Sequence, residues 1–315
     1  MRVSTSMIFN SGTSGIQNRQ SDLYKVQNQM STGRRILTPE DDPIGASEAL
    51  LVTQSKGVNA QFLDNQANAQ TQLNFLESTL GSITNEFLRI GELVATAINQ
   101  SAGASVAPEL KGRLENLIGL ANTQDGTGKY IFSGYQSNTK PFDVTGGVPP
   151  VGGFSLSGTT YVSYMGDSGK PSLQVSPSQN MAVSENGLDV FMQIRDSAGN
   201  VTGRSLFDSL KNMQNMIDGT VPYSAATQAQ VAADVTAALS HISGVRASVG
   251  ARQNSLEGLT NSGVDVATIY DSRLSALQDL DYTAAISEFA NYKMQLEAAQ
   301  LSFKQSSQLS LFNIL

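Results

Sequence analysis

Apolar residues recur every seventh position at both ends of the chain. Phe9, Ile16, Leu23, Met30 and Leu37 make the first stripe, with Val26 beside it; Tyr282, Phe289, Leu296 and Phe303 make the second, with Ala285, Tyr292 and Ala299 three residues after its first three members. On a helix this spacing holds the residues on one narrow face. Gly33 and then Thr38-Pro39 interrupt the first stripe, because a residue before proline is pushed away from helical angles, so the first helix is expected to end near Gly33.

The stretch TPEDDPIGASEAL reads as a new helix start. Asp42 can accept hydrogen bonds from the first free backbone N–H groups, Pro43 suits the first helical position, and Asp41 and Asp42 lie near the positive end of the helix dipole. Within that helix Ala69, Leu73, Leu76, Leu80, Ile83, Phe87, Ile90, Val94 and Ala97 alternate steps of four and three, the pattern of a long helix packed lengthwise on others. Residues 101 to 108, SAGASVAP, are expected to break it. Leu110, Leu114, Leu117 and Ala121 then form a shorter antiparallel neighbour.

From about Tyr130 to Arg204 the pattern changes to short β-type runs, KYIFSGY, TTYVSYMG and PSLQVS, separated by Gly, Pro and Asn turn signals that include GGVPPVGG. Helical spacing returns with Leu206, Leu210, Met213 and Ile217. Val231, Val235, Ala238, Ile242, Val245 and Val249 follow, in a second long segment running to about residue 280. The expected fold is therefore mainly α with a β-rich insert, an α+β chain with long coiled-coil-like helices at both termini. Three parts follow: residues 1–40 with 281–315 as a terminal helical domain, 41–129 with 205–280 as a helical bundle, and 130–204 as a β-rich outer domain.

Composition narrows the function. The chain has 315 residues, 40% of them apolar, so it can bury a core. Only 15% are charged and the net charge is -7, which disfavours nucleic acid, whose phosphates need clustered Lys and Arg. There is no Cys, hence no disulfide framework and no Cys metal site. The first twenty residues contain no apolar run of signal-peptide type, and no stretch is long and apolar enough to span a membrane. The terminal helices are also unlike membrane-surface helices, which carry a basic polar face; residues 282–315 contain only Lys293 and Lys304.

Candidate chemistry is sparse, and neither a metal nor a cofactor is expected. His241 stands alone and is expected to be an ordinary helix-surface residue. DGTGKY misses the phosphate-loop pattern twice, at Thr123 and Tyr130. The acids of the β insert, Asp143, Asp167, Glu185, Asp189 and Asp196, show no paired spacing of a glycan hydrolase, which is kept as a remote alternative from a different functional class.

The chain closes on LSLFNIL, in which Leu309, Leu311, Phe312, Ile314 and Leu315 are accompanied by no charge. Two paired helices cannot cover these residues together with Met7, Ile8 and Phe9, and large exposed apolar patches mark interaction surfaces. Burying a Leu or Phe is worth about 1.5 to 3 kcal/mol, whereas ordering each helical residue costs about 1 to 2 kcal/mol of backbone entropy. The end pair is therefore expected to be marginal in the monomer and to be ordered by neighbouring copies.

Four segments carry a family resemblance: MRVSTSMIFNSG at the start, QNQMSTGRRILTPEDDPIGASEAL at 27–50, LANTQDGTGKYIFSGYQSNTKPF at 120–142, and AAQLSFKQSSQLSLFNIL at the end. The chain resembles the flagellin superfamily. The last two segments favour its hook–filament junction members over filament-forming flagellins, the nearest alternative. The resemblance implies a non-enzymatic structural subunit without cofactor, exported unfolded through the flagellar type III channel without cleavage and located outside the cell. It implies partners as well: further copies in a ring, the first hook-associated protein on the hook side, flagellin and the filament cap on the distal side, and a cytoplasmic export chaperone. Phe9, Ile16, Leu23, Met30, Phe289, Leu296, Phe303, Leu311, Phe312, Ile314 and Leu315 would then lie in inter-subunit packing, and Asp41, Asp42 and Pro43 would set a bend between terminal helices and body.

Overall fold

The structure, a computed structural model, describes residues 5–99, 103–144, 161–195, 199–201, 205–217 and 225–312. Among the described residues six α-helices run in the order α1 (Thr5–Thr32), α2 (Pro43–Asn99), α3 (Gly103–Ala121), α4 (Leu206–Ile217), α5 (Ala225–Gln278) and α6 (Tyr282–Phe312). Between α3 and α4 lie strands β1 (Phe142–Asp143), β2 (Ser163–Tyr164), β3 (Ser172–Ser176) and β4 (Gln179–Ala182), then a π-helical turn, Leu188–Met192. The strands form two separate antiparallel pairs, β1 with β2 and β3 with β4. The chain is mainly α with a small β-rich insert, as its periodicity predicts.

Met1–Ala60 and Val264–Leu315 group into one compact unit and Gln61–Gly263 into a second. In the second unit, all nine members of the α2 stripe from Ala69 to Ala97 are buried. Facing them are Leu110, Leu114, Leu117 and Ala121 of α3 and Val231, Val235, Ala238, Ile242 and Val249 of α5. Ion pairs fix direction: Arg113 meets Glu86 at 3.2 Å and Arg89 meets Glu109 at 3.1 Å, so α3 runs antiparallel to α2. Arg246 on α5 reaches Glu77 on α2 through Nε at 2.9 Å and Nη2 at 2.6 Å.

The β insert joins this core through aromatic rings. Phe142 of β1 lies 5.2 Å from Phe191 of the π-helical turn and 5.4 Å from Phe207 of α4, and Phe132 meets Phe191 edge-on at 5.2 Å. Such tilted and edge contacts suit the ring quadrupoles. Ser205 caps α4, accepting the Asp208 N–H at 3.1 Å on its hydroxyl.

Three expectations are corrected. KYIFSGY forms turns, with a single bridge between Gln124 and Tyr130. Phe132 and Ser133 are consecutive and both buried, which a half-buried strand with alternating faces does not permit, and Gly134 turns the chain at φ +71. Helix α3 begins at Gly103 and carries Pro108 inside it, so the predicted break over 101–108 is shorter than proline alone suggests. Proline near a helix start sacrifices only one intrahelical bond. His241 is half-buried, and its Nε2 lies 2.8 Å from the Asp189 carbonyl, tying α5 to the π-helical turn instead of standing free on the surface.

Candidate assembly interface

Helix α1 is a weak helix by composition. Its 28 residues include Gly12, Gly15 and many Ser, Thr and Asn, all poorer helix formers than Ala or Leu, and isolated helices are marginal even with good sequences. It is held by packing against α6. The Phe9 and Phe303 rings lie 5.0 Å apart at 53°, and Gly12 admits that ring: a Cβ there would come within 2.6 Å of Phe303 Cδ2. At the other end of the pair the Tyr282 hydroxyl donates to the Met30 carbonyl at 3.2 Å, beside Gly33, whose φ is +68.

The heptad residues are only partly covered by this pairing. Ile16, Leu23, Met30, Phe289, Leu296 and Phe303 are half-buried, and Phe9 remains 53% exposed. Helix α6 reaches Phe312, but the side chains of Leu311 and Phe312, and Ile314 and Leu315 altogether, lie outside the described residues.

The segment between α1 and α2 is built by two neighbouring carboxylates with different tasks. Asp42 caps α2: its Oδ1 accepts the Gly45 N–H at 2.9 Å, with Pro43 opening the helix. Asp41 instead closes the preceding turn, its Oδ2 accepting the N–H groups of Leu37 and Thr38, each at 3.0 Å, while its Oδ1 meets Lys25 Nζ at 2.7 Å. The Lys25 ammonium and the Thr38 N–H hold the Asp41 carboxyl well below the usual carboxylate range, at about 2. The Gly45 N–H, followed by Arg35, lowers Asp42 as well. Arg35 ties this segment to the end of α5. Its guanidinium donates to Asp42 at 3.1 Å and to the Leu277 carbonyl at 3.0 Å, and its own N–H donates to the Gln278 carbonyl at 2.7 Å. Leu280 N–H donates to the Gly33 carbonyl at 3.0 Å, and Asp281 caps α6 through the Thr283 and Ala284 N–H groups.

Two apolar stripes were missed by the sequence reading. Ile44, Leu51 and Val58 stand seven apart on α2, opposite buried Ala49 and Val52, and all three are exposed, Ile44 by 80%. On α6, Ile286, Met294 and Leu301 lie outside the heptad stripe and are likewise exposed, Met294 by 62%. The first stripe repeats every seven residues in the sequence, a signal masked there by the capping pattern that precedes it. The second was hidden because α6 is apolar on two faces, so one heptad hides the other.

Catalytic geometry does not gather among the described residues. In the β insert Asp143 pairs with Lys140 at 3.3 Å, Asp167 accepts backbone N–H groups, and Glu185 is buried against Lys170 and Arg252. Asp189 meets Lys170 at 3.5 Å, and Asp196 lies outside the described residues. These carboxylates hold structure. No cluster of three His, Asp or Glu able to hold a metal occurs among the described residues, and no described helix is long and apolar enough to cross a membrane.

Comparison with known proteins gives this arrangement a family. Residues 3–137 match the bacterial flagellin N-terminal helical region and residues 232–315 the bacterial flagellin C-terminal helical region. The whole chain aligns with flagellar hook-associated protein 3 of Escherichia coli (strain K12), 31% identical over 330 residues and covering 99% of that protein. The protein of the same name from Salmonella typhimurium is also 31% identical, over 333 residues, with 99% of it covered. Among solved structures, the flagellar junction protein FlgL from Legionella pneumophila shares the fold at a TM-score of 0.57 with 21% identity, over 74% of this chain and 100% of that one. Flagellin-type helices at both ends and full-length likeness to the two enterobacterial proteins make this chain a member of the flagellar hook-associated protein 3 family.

Proposed function

We propose that the chain is a structural subunit of the bacterial flagellum that joins hook to filament, and that it assembles by packing α1 and α6 of neighbouring copies around a common axis. The observation that carries this reading is the apolar surface of the first unit: Phe9, Ile44, Leu51, Ile286, Met294 and Leu301 are all exposed on α1, α2 and α6, where packing against a neighbouring copy would cover them. In this reading residues 1–40 with 281–315 line the axial tube, 41–129 with 205–280 form the surrounding bundle, and 130–204 face outward. Asp41, Asp42 and Pro43 set the bend between tube and bundle. Phe9, Ile16, Leu23, Met30, Phe289, Leu296, Phe303, Leu311, Phe312, Ile314 and Leu315 pack between copies. The subunit catalyses nothing; its work is to present one helical surface to the first hook-associated protein and another to flagellin or the filament cap. It reaches that place by export through the flagellar channel, unfolded and uncleaved, after release from a cytoplasmic chaperone.

The reading is tested by deleting residues 309–315 and scoring incorporation at hook ends. Loss of incorporation with an unchanged melting profile of the second unit is the expected result. Normal incorporation would remove the mechanical basis of the proposal.

A further inference from the structure

The loop 134–137 in the second unit is held with more care than packing requires. The Asp167 carboxylate accepts the N–H groups of Tyr135 at 3.0 Å, Gln136 at 3.1 Å and Gly169 at 2.7 Å. Gly134 is left-handed, and a Cβ there would run into the same carboxylate. The Tyr135 hydroxyl donates to the Lys170 carbonyl at 3.4 Å. The product of these constraints is an aromatic side chain fixed at its backbone and at its tip, yet 69% exposed.

Tyr135 stands at a cavity of about 590 Å³ that α2 lines with Asn68, Gln72 and Phe75, and the turn before it with Tyr130. Phe75 is also exposed. The cavity wall carries uncommitted polar groups. The amides of Asn68 and Gln72, both solvent-exposed, show no hydrogen bond to any described residue, and each offers two donors and an acceptor to a ligand that displaces water. Lys129 and Asp125 both line the cavity, so its fixed charges oppose one another.

We propose that this cavity binds a neutral pyranose unit of a glycan. A pyranose presents an apolar C–H face and a rim of hydroxyls that both donate and accept. Tyr135 and Phe75 offer rings to the face; Asn68 and Gln72 offer partners to the rim. A purely apolar molecule would leave those polar groups unpaired, an anion would meet Asp125 as well as Lys129 in a chain of net charge -7, and the volume falls in the range of small-molecule pockets. The same sugar chemistry is presented by cell-wall amino sugars and by hexoses of surface glycans. The site goes beyond the junction role and does not depend on it.

The test is saturation-transfer NMR on the full-length chain with the methyl glycosides of glucose, galactose, mannose and N-acetylglucosamine. At least one is expected to bind, with the strongest transfer to protons of one ring face. Tyr135→Ala and Gln72→Ala should each weaken it by about tenfold or more, and Tyr135→Phe should keep it, with melting profiles unchanged in all three. A response confined to the N-acetylated sugar points to cell wall as the source, and one to plain hexosides points to surface glycan. No transfer from any of the four overturns the proposal, as does transfer that Tyr135→Ala and Gln72→Ala leave intact. Self-association abolished by Tyr135→Ala, with no sugar response, overturns it too and reassigns the cavity to a second copy of this chain.

Discussion

The two units of this chain use apolar residues in opposite ways. In the second, five phenylalanines, Phe87, Phe132, Phe142, Phe191 and Phe207, are buried to within 2% of full cover. In the first, the buried apolar residues among those described are Val26, Ala49, Val52 and Ala285, none larger than valine. The large ones are half-buried, as Ile16, Leu23 and Phe303 are, or exposed, as Met7, Phe9, Leu50, Leu51, Ile269 and Leu301 are. Apolar content is therefore no guide to where stability resides. The second unit buries its large apolar residues within itself, whereas the first leaves many of its own in contact with solvent.

The largest effect should follow from breaking the self-contained unit. Phe87→Ala empties a fully buried site in α2, and such truncations cost about 3 to 5 kcal/mol. Phe303→Ala, in the half-buried α1–α6 seam, should shift the monomer's melt by about 1 kcal/mol or less while abolishing incorporation at hook ends. Chemical denaturation of both variants, beside an incorporation assay, checks the contrast. If Phe303→Ala destabilises the monomer as much as Phe87→Ala, the two units do not differ in the way described.

The same contrast explains what could be read before the structure. Where a helix buries one face and wets the other, as α2 does from Ala69 to Ala97, spacing identifies the core residue by residue, because solvent and core impose opposite demands on the two sides. Where a helix carries apolar residues on more than one side, as α6 does, the period blurs and half the surface escapes notice, as Ile286, Met294 and Leu301 do. The β insert was legible as a region but not in detail. Two-residue strands such as β1 and β2 are too short for alternation to register, and the turn at Gly134 depends on a contact with Asp167 thirty-three residues away in sequence. His241 was read as a surface residue because its partner is a backbone carbonyl, which leaves no trace in side-chain patterns.

A smaller effect isolates the junction between α1 and α6. Gly33 sits at φ +68 beside Tyr282, and an L side chain in that region costs about 1 to 2 kcal/mol. Gly33→Ala should accelerate amide exchange in α1 and in the first turns of α6, with α2 from Ala69 to Ala97 unaffected. Exchange that rises equally in both units would mean that they unfold as one.

Acid should act on Asp41 of the first unit and Asp208 of the second with opposite signs, since the two carboxyls are displaced in opposite directions. Asp41 is lowered to about 2, so the stability it contributes is full above its unfolded value of about 3.9 and fades as pH falls from there through about 2. Asp208, in α4, is pushed up by burial, and its Oδ2 has no hydrogen-bond partner among the described residues while Oδ1 accepts the Tyr161 N–H at 2.7 Å. A raised carboxyl destabilises when ionised, so protonation as pH falls relieves the second unit. Asp41→Asn should flatten the acid loss of the α1–α2 segment, and Asp208→Asn should raise the melt of the second unit at neutral pH, each by on the order of 1 kcal/mol. Because Asp125 in the second unit is lowered as well, thermal melts from pH 7 to pH 3 compare each variant with the parent chain; variant effects that do not differ in sign would contradict this assignment.

The smallest effects compare equivalent ion pairs between α2 and α5. In the first unit, Lys56 pairs with Asp271 and Arg273 with Glu48, and all four side chains are well exposed. Exposed pairs of this kind contribute about 0 to 1 kcal/mol and are screened by salt, so Lys56→Ala should change the melt by about 0.5 kcal/mol or less and nothing at high salt. Arg246 and Glu77 make the corresponding pair in the second unit, with both Nε and Nη2 on one carboxylate oxygen and the other oxygen buried without a hydrogen-bond partner among the described residues. Arg246→Ala leaves that half-buried carboxylate without its ion pair and with one oxygen shielded from water, a cost of about 1 kcal/mol, and Glu77→Gln in the same background should restore part of it by removing the charge. If the double variant is no more stable than Arg246→Ala, the burial of Glu77 is not what distinguishes the two pairs, and the guanidinium's packing along α5 is the remaining physical cause.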